Sequence, residues 1–295
     1  MSAGPKAGFL ADGRRLHLQH GPIDLVIEAF GETDAMQAAY QAAARRFDGL
    51  LEGLCAELPL LRAPQALNSV QAEGIVARRM QAAVSPFMSE HFITPMAAVA
   101  GSVADEILAA MLAAASLRRG YVNNGGDIAL HLAEGEEFAI GLVDRPDKPN
   151  LFARSHIRAC DGVRGIATSG WRGRSFSLGI ADAVTVLAPS AAMADAAATI
   201  IANGVDLPDH AGITRVSAVS LQPDSDLGER LVTRAVGALA PGEIDLALRG
   251  GEIRARALLG QGLISAVALH LAGTTRLVPT SPDLVQSALV QPEAA

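Results

Sequence analysis

Cysteine is nearly absent. Cys55 and Cys160 are the only two in 295 residues, and they lack CxxC spacing. That excludes a disulfide framework and reads as ordinary thiols in a reducing compartment, with one distant bond the only pairing left open. Aromatic residues make up only 4% of the chain, so small and aliphatic side chains have to pack the core. A basic block is missing as well. The arginines are scattered as the pairs Arg14-Arg15, Arg45-Arg46, Arg78-Arg79 and Arg118-Arg119, and the net charge is -7, so nucleic acid is not the expected partner. No run of 18 apolar residues occurs, because Asp105 and Glu106 interrupt the alanine-rich stretch from Met96 to Leu117; no membrane span is expected. The opening MSAGPKAGFLADGRR has no apolar run long enough for a signal peptide, and a cytoplasmic protein is the expectation. GxGxxG, GxxxxGK[ST] and GxSxG are all lacking, which removes support for a dinucleotide-binding βαβ unit, a P-loop and a nucleophile elbow.

What is present is a chain half hydrophobic, long enough for one large domain or two modest ones. The reading favours a single α+β domain over residues 1–278, with a tail over 279–295. His17 to His20, Gly21-Pro22 and Ile23 to Ala29 read as strand, turn and strand. A helix is expected from Asp34 to about Leu54, an irregular stretch from Pro59 to Gln71, and a short helix from Ala72 to Ala83. Thr94-Pro95 reads as cap and first helical residue of a helix running to Leu117 or Arg118. Strands are expected at Ile128 to Leu130, Phe138 to Val143, Ala153 to Ile157 and Ala183 to Leu187. Further on come a strand at Arg215 to Leu221, a helix at Leu227 to Leu239, strand-like runs at Ile244 to Leu248 and Ile253 to Ala257, and an apolar run from Leu263 to Leu271. Strands and helices mix without βαβ regularity, so mixed sheets with packed helices are favoured over a doubly wound sheet.

The segment PSAAMADAAATIIANG, from Pro189 to Gly204, carries the strongest chemical signal. On a helix, Asp195, Thr199 and Asn203 form a column of carboxylate, hydroxyl and amide in apolar company. Asp195 and Thr199 offer hard oxygen donors suited to Mg²⁺; the alternative has Asp195 facing water and Thr199 bonding within its own helix. Tyr121 to Leu130, YVNNGGDIAL, holds Gly125 and Gly126 and could bring several backbone N–H groups onto a phosphate, with Asn123, Asn124 and Asp127 adding directional polar groups. A plain hairpin turn is the alternative. Gly101 and Asp105 share a helix face, and Asp105 is either a candidate general base or a solvent-facing carboxylate beside Glu106. Thr168, Ser169 and Gly170 form a hydroxyl-bearing loop able to bond a phosphate or a flavin edge. Trp171 could stack on an aromatic ligand or cover a core edge. His156 and Cys160 would have ligand spacing only on a helix, so zinc is not expected. His131, His210 and His270 read as structural or surface residues.

In order along the chain, AVAGSVAD (Ala98 to Asp105), VNNGGDI (Val122 to Ile128), ATSG (Ala167 to Gly170) and ADAAAT (Ala194 to Thr199) resemble the motifs of the ApbE family of flavin transferases. The resemblance runs from about His91 to Gly204. It is closer still to the compact UPF0280 group, which shares HGPIDL at residues 20 to 25, the VNNGGDI turn and the spacing from TSG to ADAVTV. It implies an ApbE-like fold, FAD and Mg²⁺ as cofactors, and transfer of FMN to a hydroxyl of a protein acceptor with release of AMP. Asp195 and Thr199 then match side-chain metal ligands, and the backbone near Gly101 matches a carbonyl ligand. Asp105, Gly125, Gly126 and Asp127 match residues lining the flavin nucleotide, beside Thr168, Ser169 and Gly170. Two departures stand out: Ala100 replaces a lysine common in the transferases, and Trp171 to Asp182 replaces a histidine-rich segment. Two function classes therefore stay open, a Mg²⁺-dependent transferase or pyrophosphatase acting on FAD, and a protein that binds a flavin or other phosphorylated metabolite without transfer. A homodimer is the expected assembly.

Overall fold

Turn residues and alternating burial set up an antiparallel meander at the start of the chain. The computed structural model describes residues 4–143, 151–281 and 284–287. Strands β1 (Lys6–Phe9), β2 (Leu16–His20) and β3 (Ile23–Phe30) are followed by helices α1 (Thr33–Phe47), α2 (Leu50–Ala56), α3 (Leu58–Leu61), α4 (Ile75–Val84) and α5 (Val99–Ala114). Strands β4 (Arg119–Asn124), β5 (Asp127–Leu132), β6 (Glu137–Val143), β7 (Leu151–Arg158), β8 (Gly165–Ser169) and β9 (Ala183–Ala188) lead to α6 (Ala191–Ala202). Then come β10 (Ile213–Ser217), α7 (Ala218–Leu221), β11 (Leu231–Val236), α8 (Pro241–Gly260), β12 (Ala266–Leu271), β13 (Thr274–Pro279) and β14 (Val285–Ser287). This is the α+β architecture expected from the sequence, with antiparallel sheets and packed helices.

The chain divides into two compact units, interleaved in sequence. The first comprises Met1–Glu137, Arg158–Ala167 and Leu187–Ala196. Its strands β1 to β5 pair antiparallel in chain order, and β5 then pairs β8 through Ile128↔Ile166 and Ala129↔Gly165. Every second residue of β2 and β3 is buried, because period-2 side chains place one set on the face covered by helices. Leu18, Leu25 and Ile27 from that face join Phe47 of α1, Met80 of α4 and Ile107 and Met111 of α5 in one core. The stretch Pro95–Ala114 reaches a mean hydropathy of 1.6, yet half of it is buried inside the chain; its apolarity serves the core.

Glu106 is the exception on α5. It is 6% exposed and accepts hydrogen bonds from Arg46 Nε (2.7 Å) and Arg79 Nη1 (2.9 Å), tying α1 and α4 to α5. Burial alone would raise its pKa, but the two guanidinium bonds outweigh that and hold it below the ordinary carboxylate range.

The second unit comprises Phe138–Ile157, Thr168–Val186 and Ala197–Ala295. Strand β9 neighbours β12, which pairs β13 antiparallel; β10 pairs β11; and β7 lies between β14 and β6. Strands β9 and β12 are buried at every position, as their unbroken apolar runs demand.

Several local expectations need correction. The helix expected over 34–54 is two helices, broken where Gly49 takes φ +72°. The helix from Thr94 begins with a 3-10 turn at Pro95–Ala98 and ends at Ala114, and Thr94 makes no side-chain cap bond. The run 227–239 is a strand rather than a helix: β-branched Val232, Thr233 and Val236 pair with β10, which itself ends at Ser217 before the short α7. Conversely, the two strand-like runs near 244 and 253 are one helix, α8. Pro241 starts it, Glu243 accepts the Ala240 N–H at 2.7 Å, and Asp245–Arg249 and Glu252–Arg256 pair at i,i+4. Strand β14 lies in the stretch read as tail and pairs β7 from Val285↔Ser155 to Ser287↔Ala153.

Replacing Glu106 with Gln is expected to cost about 2 kcal/mol of unfolding free energy at pH 7. That is below the ~3–5 kcal/mol of a fully dry broken pair, because both arginines reach water. Since the native pKa is lowered, this stabilisation is present above the ordinary carboxylate range and disappears as acidification passes the native pKa. Urea titrations of both proteins at pH 7 and at pH 3 would measure it; an undiminished difference at pH 3 would contradict the assignment.

Candidate functional site

Within the first unit the start of α6 meets α5, and a glycine allows it. A Cβ on Gly101 would overlap the carbonyl of Ala191 at the start of α6, so only glycine lets α5 and α6 approach this closely. Across the contact each helix caps the other. Asp195 Oδ2 of α6 accepts the Gly101 N–H of α5 at 3.0 Å, and the Ala100 N–H bonds the same carboxylate. Asp105 of α5 accepts the Ala191 and Ala192 N–H groups at 3.1 and 3.0 Å through its two oxygens. Ser190 Oγ completes the α6 end by accepting the Met193 N–H at 3.2 Å. Each carboxylate thus sits at the positive end of the other helix, where unpaired N–H groups favour an anion.

The β4–β5 hairpin adds a third acid. Asn124 and Asp127 face each other across a two-residue turn in which Gly125 has φ +66° and Gly126 φ +113°. Two consecutive positive φ values demand glycine there. The Gly126 N–H donates to Asn123 Oδ1 at 2.8 Å, so that donor is spent within the turn. One of the N–H groups of the turn that could converge on a phosphate is therefore already engaged. Asn124, 5% exposed, donates Nδ2 to the Ala100 carbonyl at 3.1 Å, which pins the hairpin to the start of α5. Asp127 lies near enough to Asp195 for its charge to act on it.

Electrostatics set these acids apart. Desolvation is the largest influence on Asp195 and raises its pKa well above the ordinary value. The charges of Asp127 and Asp105 raise it further, against the lowering by the Gly101 and Ala100 N–H groups. Asp105 is also raised, chiefly by burial, with its bonds from Ala192 and Ala191 and the charge of Arg79 acting the other way. Such a cluster favours a bound proton or cation over three bare charges. Among the described residues no group of three or more His, Cys, Asp or Glu side chains is arranged to hold a metal; the expected set of one carboxylate, one hydroxyl and one carbonyl is of another kind.

The structure brings Gly101, Asp105, Asn124, Asp127 and Asp195 together in the first unit, with Asn123 and the two hairpin glycines on the attached turn. The solvent-facing alternative for Asp105 fails: each of its oxygens accepts an N–H from the start of α6. Thr199 lies one turn after Asp195 on α6. Asn203, past the helix end, accepts the Leu178 N–H at 2.9 Å and is structural. Thr168, Ser169 and Gly170 belong to the second unit. There, Thr168 and Ser169 end strand β8 instead of lying in a loop, Thr168 Oγ1 bonds Thr185 Oγ1 at 2.9 Å, and a Cβ on Gly170 would overlap the Asp182 carbonyl. His156 lies on β7 and Cys160 on a 3-10 turn, so their spacing is not helical. Sequence reasoning missed the role of Asn124 as a backbone clamp. A 460 Å³ cavity lies elsewhere in the first unit, between the Glu134–Glu137 turn and Arg158–Cys160, and it contains none of the expected site residues.

Comparison with known proteins follows the motifs. Residues 7–277 match the family model described as AbpE bacteria. A UPF0280 protein of Methanopyrus kandleri is 41% identical over 129 residues, covering 43% of this chain and 48% of the relative. A second, from Methanothermobacter thermautotrophicus, is 35% identical over 153 residues, covering 50% and 57%. The chain thus spans about half the length of the curated relatives it matches. A solved apo structure of the flavinyl transferase ApbE from Pseudomonas stutzeri is 12% identical, with 93% of each chain covered and a TM-score of 0.40; a likeness that loose carries no assignment.

Replacing Asp195 with Asn removes the charge and keeps an acceptor for the Gly101 N–H. Because the native pKa is raised, the wild-type carboxylate loses stability as pH rises from the ordinary carboxylate range through its native pKa. In cation-free buffer the Asn variant is therefore expected to melt higher than wild type at pH 7–8, the gain shrinking toward pH 4. A gain that does not vary with pH would contradict a desolvated, charge-crowded Asp195. Asp105→Ala, which uncaps α6, is expected to cost about 1–2 kcal/mol in chemical denaturation.

Proposed function

The chain belongs to the family described as AbpE bacteria, and from that premise we propose that it uses a divalent cation, Mg²⁺, to act on a flavin nucleotide, with FAD as substrate. The observation that carries the reading is the Asp195 carboxyl, desolvated beside Asp127 and Asp105 at the amino end of α5. Asp195, with the hydroxyl of Thr199 and the backbone near Gly101, would hold the cation, whose charge would offset that of the pyrophosphate as its P–O bond breaks. The donor set suits a hard ion: carboxylate, hydroxyl and carbonyl oxygens and no sulfur or imidazole.

The residues of this chain supply positioning. Asn124 fixes the Ala100 carbonyl, and the glycine turn carries Asp127 to the same place. The nucleophile is a hydroxyl of a protein acceptor in transfer, or water in hydrolysis, and AMP departs in either case. Asp105 is not used as a base, since its oxygens serve the α6 N–H groups.

Two observations favour the second reading, binding of a flavin or other phosphorylated metabolite without transfer. Asp105 and Asp195 both cap helix N–H groups, and Ala100 stands where a lysine is common in the transferases.

Incubation of the full chain with FAD and Mg²⁺, with and without a hydroxyl-bearing acceptor peptide, separates the readings by AMP and FMN release. Asp195→Ala is expected to abolish Mg²⁺-dependent turnover and to weaken Mg²⁺ binding in calorimetry by at least about tenfold. Thr199→Val should act in the same direction by a smaller factor, having lost one neutral oxygen. Unchanged Mg²⁺ and flavin binding in Asp195→Ala would end the cation-site reading.

A further inference from the structure

The second unit holds a basic, aromatic cluster that the proposed cation site does not use. Trp171, the only tryptophan in the chain, donates its indole Nε1–H to Asp182 Oδ1 at 3.2 Å. Arg172 donates Nε–H to the same oxygen at 2.7 Å, and its guanidinium carbon lies 4.3 Å from the centre of the indole ring. The Asp182 side chain is 13% exposed, and its other oxygen accepts the Ala272 N–H at 2.7 Å, at a residue with φ +47°. The Asp182 N–H in turn donates to the His270 carbonyl at 3.0 Å. Asp182 is therefore held from several sides and acts as an anchor for the loop that follows Gly170.

That anchoring has a consequence for Arg172. Only its Nε is spent on Asp182, so Nη1 and Nη2 have no partner among the described residues while the planar group is held by stacking. The turn closed by Gly173 N–H donating to the Gly170 carbonyl at 3.1 Å then presents Arg174, which is exposed and has neither hydrogen bond nor ion pair among the described residues. A guanidinium on a mobile stem would be an ordinary solvated charge. Here one is pre-set against an indole, and a second follows two residues later, in a chain of net charge -7. Each guanidinium is a planar fork able to give a phosphate two parallel N–H bonds. Asp182 already balances Arg172, so the uncompensated charge is that of Arg174.

We propose that Arg172 and Arg174 form an oxyanion subsite for the phosphate or diphosphate of a nucleotide, with Trp171 as the platform that holds Arg172 flat. The flavin identity of that nucleotide rests on the preceding reading; the oxyanion subsite does not.

Trp171 makes the test direct, because all tryptophan fluorescence of the full chain comes from the subsite. Titration with ADP, and separately with inorganic diphosphate, in EDTA without Mg²⁺ is expected to give a saturable change in emission that weakens as salt is raised. Adenosine, which lacks the phosphates, is expected to give none. Arg174→Ala, which touches neither Trp171 nor Asp182, is expected to weaken ADP binding about tenfold, the loss of a charge-assisted bond, with an unchanged melt. Arg172→Lys keeps the charge but not the fork and is expected to weaken it as well. Equal affinity in Arg174→Ala, no response to ADP or diphosphate, or a response to an acidic peptide but not to diphosphate would each overturn the proposal. Because Mg²⁺ is absent, failure of the cation site leaves this outcome unaffected.

Discussion

Reciprocal capping between α5 and α6 is the constraint around which the first unit is arranged. A helix start leaves N–H groups without partners, and α5 and α6 each meet that need with an aspartate from the other, Asp195 on Gly101 and Asp105 on Ala191 and Ala192. The exchange requires the helices to approach within backbone contact, which Gly101 permits. Gly165 of β8 plays the same part on another side, since a Cβ there would overlap Ser190 and Ala191. Any change in the α5–α6 contact therefore moves both carboxylates together.

The same arrangement creates the electrostatic tension that makes the site a candidate. Two half-buried capping carboxylates brought close repel each other, and Asp127 on the hairpin adds a third charge. Capping alone could be served by serine or asparagine, which carry no charge. Aspartate at these positions pays a desolvation penalty beyond what a cap requires, and the raised Asp195 pKa expresses it. A cation bound at Asp195 would remove that penalty, whereas a purely structural role would leave it standing. The clamp from Asn124 to the Ala100 carbonyl fits the same picture: it orders a backbone oxygen beside the acid without adding charge.

Much of this was legible in the sequence, for identifiable reasons. The apolar spacing on α5 and the unbroken run of β9 each allow few readings, and the Asn-Asn-Gly-Gly-Asp turn has only one compact geometry with two positive φ values. Short apolar runs were not legible. Ile244 to Leu248 looks like a strand in isolation, and the i,i+4 ion pairs and the proline start that make α8 a helix act over twenty residues. Leu227 to Leu239 failed in the opposite direction, because strand pairing with β10 is a non-local fact that helical spacing cannot reveal. In the site, the residue types at Asp105, Asp127 and Asp195 were readable, while their duties were not. Whether a buried aspartate is a base, a ligand or a cap depends on which N–H groups reach it, and for Asp105 those lie 86 and 87 residues away.

The segment from Trp171 to Asp182 shows how a departure from a family pattern can be informative in itself. A histidine-rich stretch would bring groups that titrate near neutrality and can move protons. What stands here is an indole, two arginines and an aspartate, with no imidazole among them. Such a loop can bind and orient, but it offers no proton shuttle. On the proposed reading the chain positions an anionic ligand and a cation, while Asp105 stays committed to α6. On that proposal phosphoryl chemistry is the fitting class, because positioning and charge neutralisation supply most of its barrier lowering.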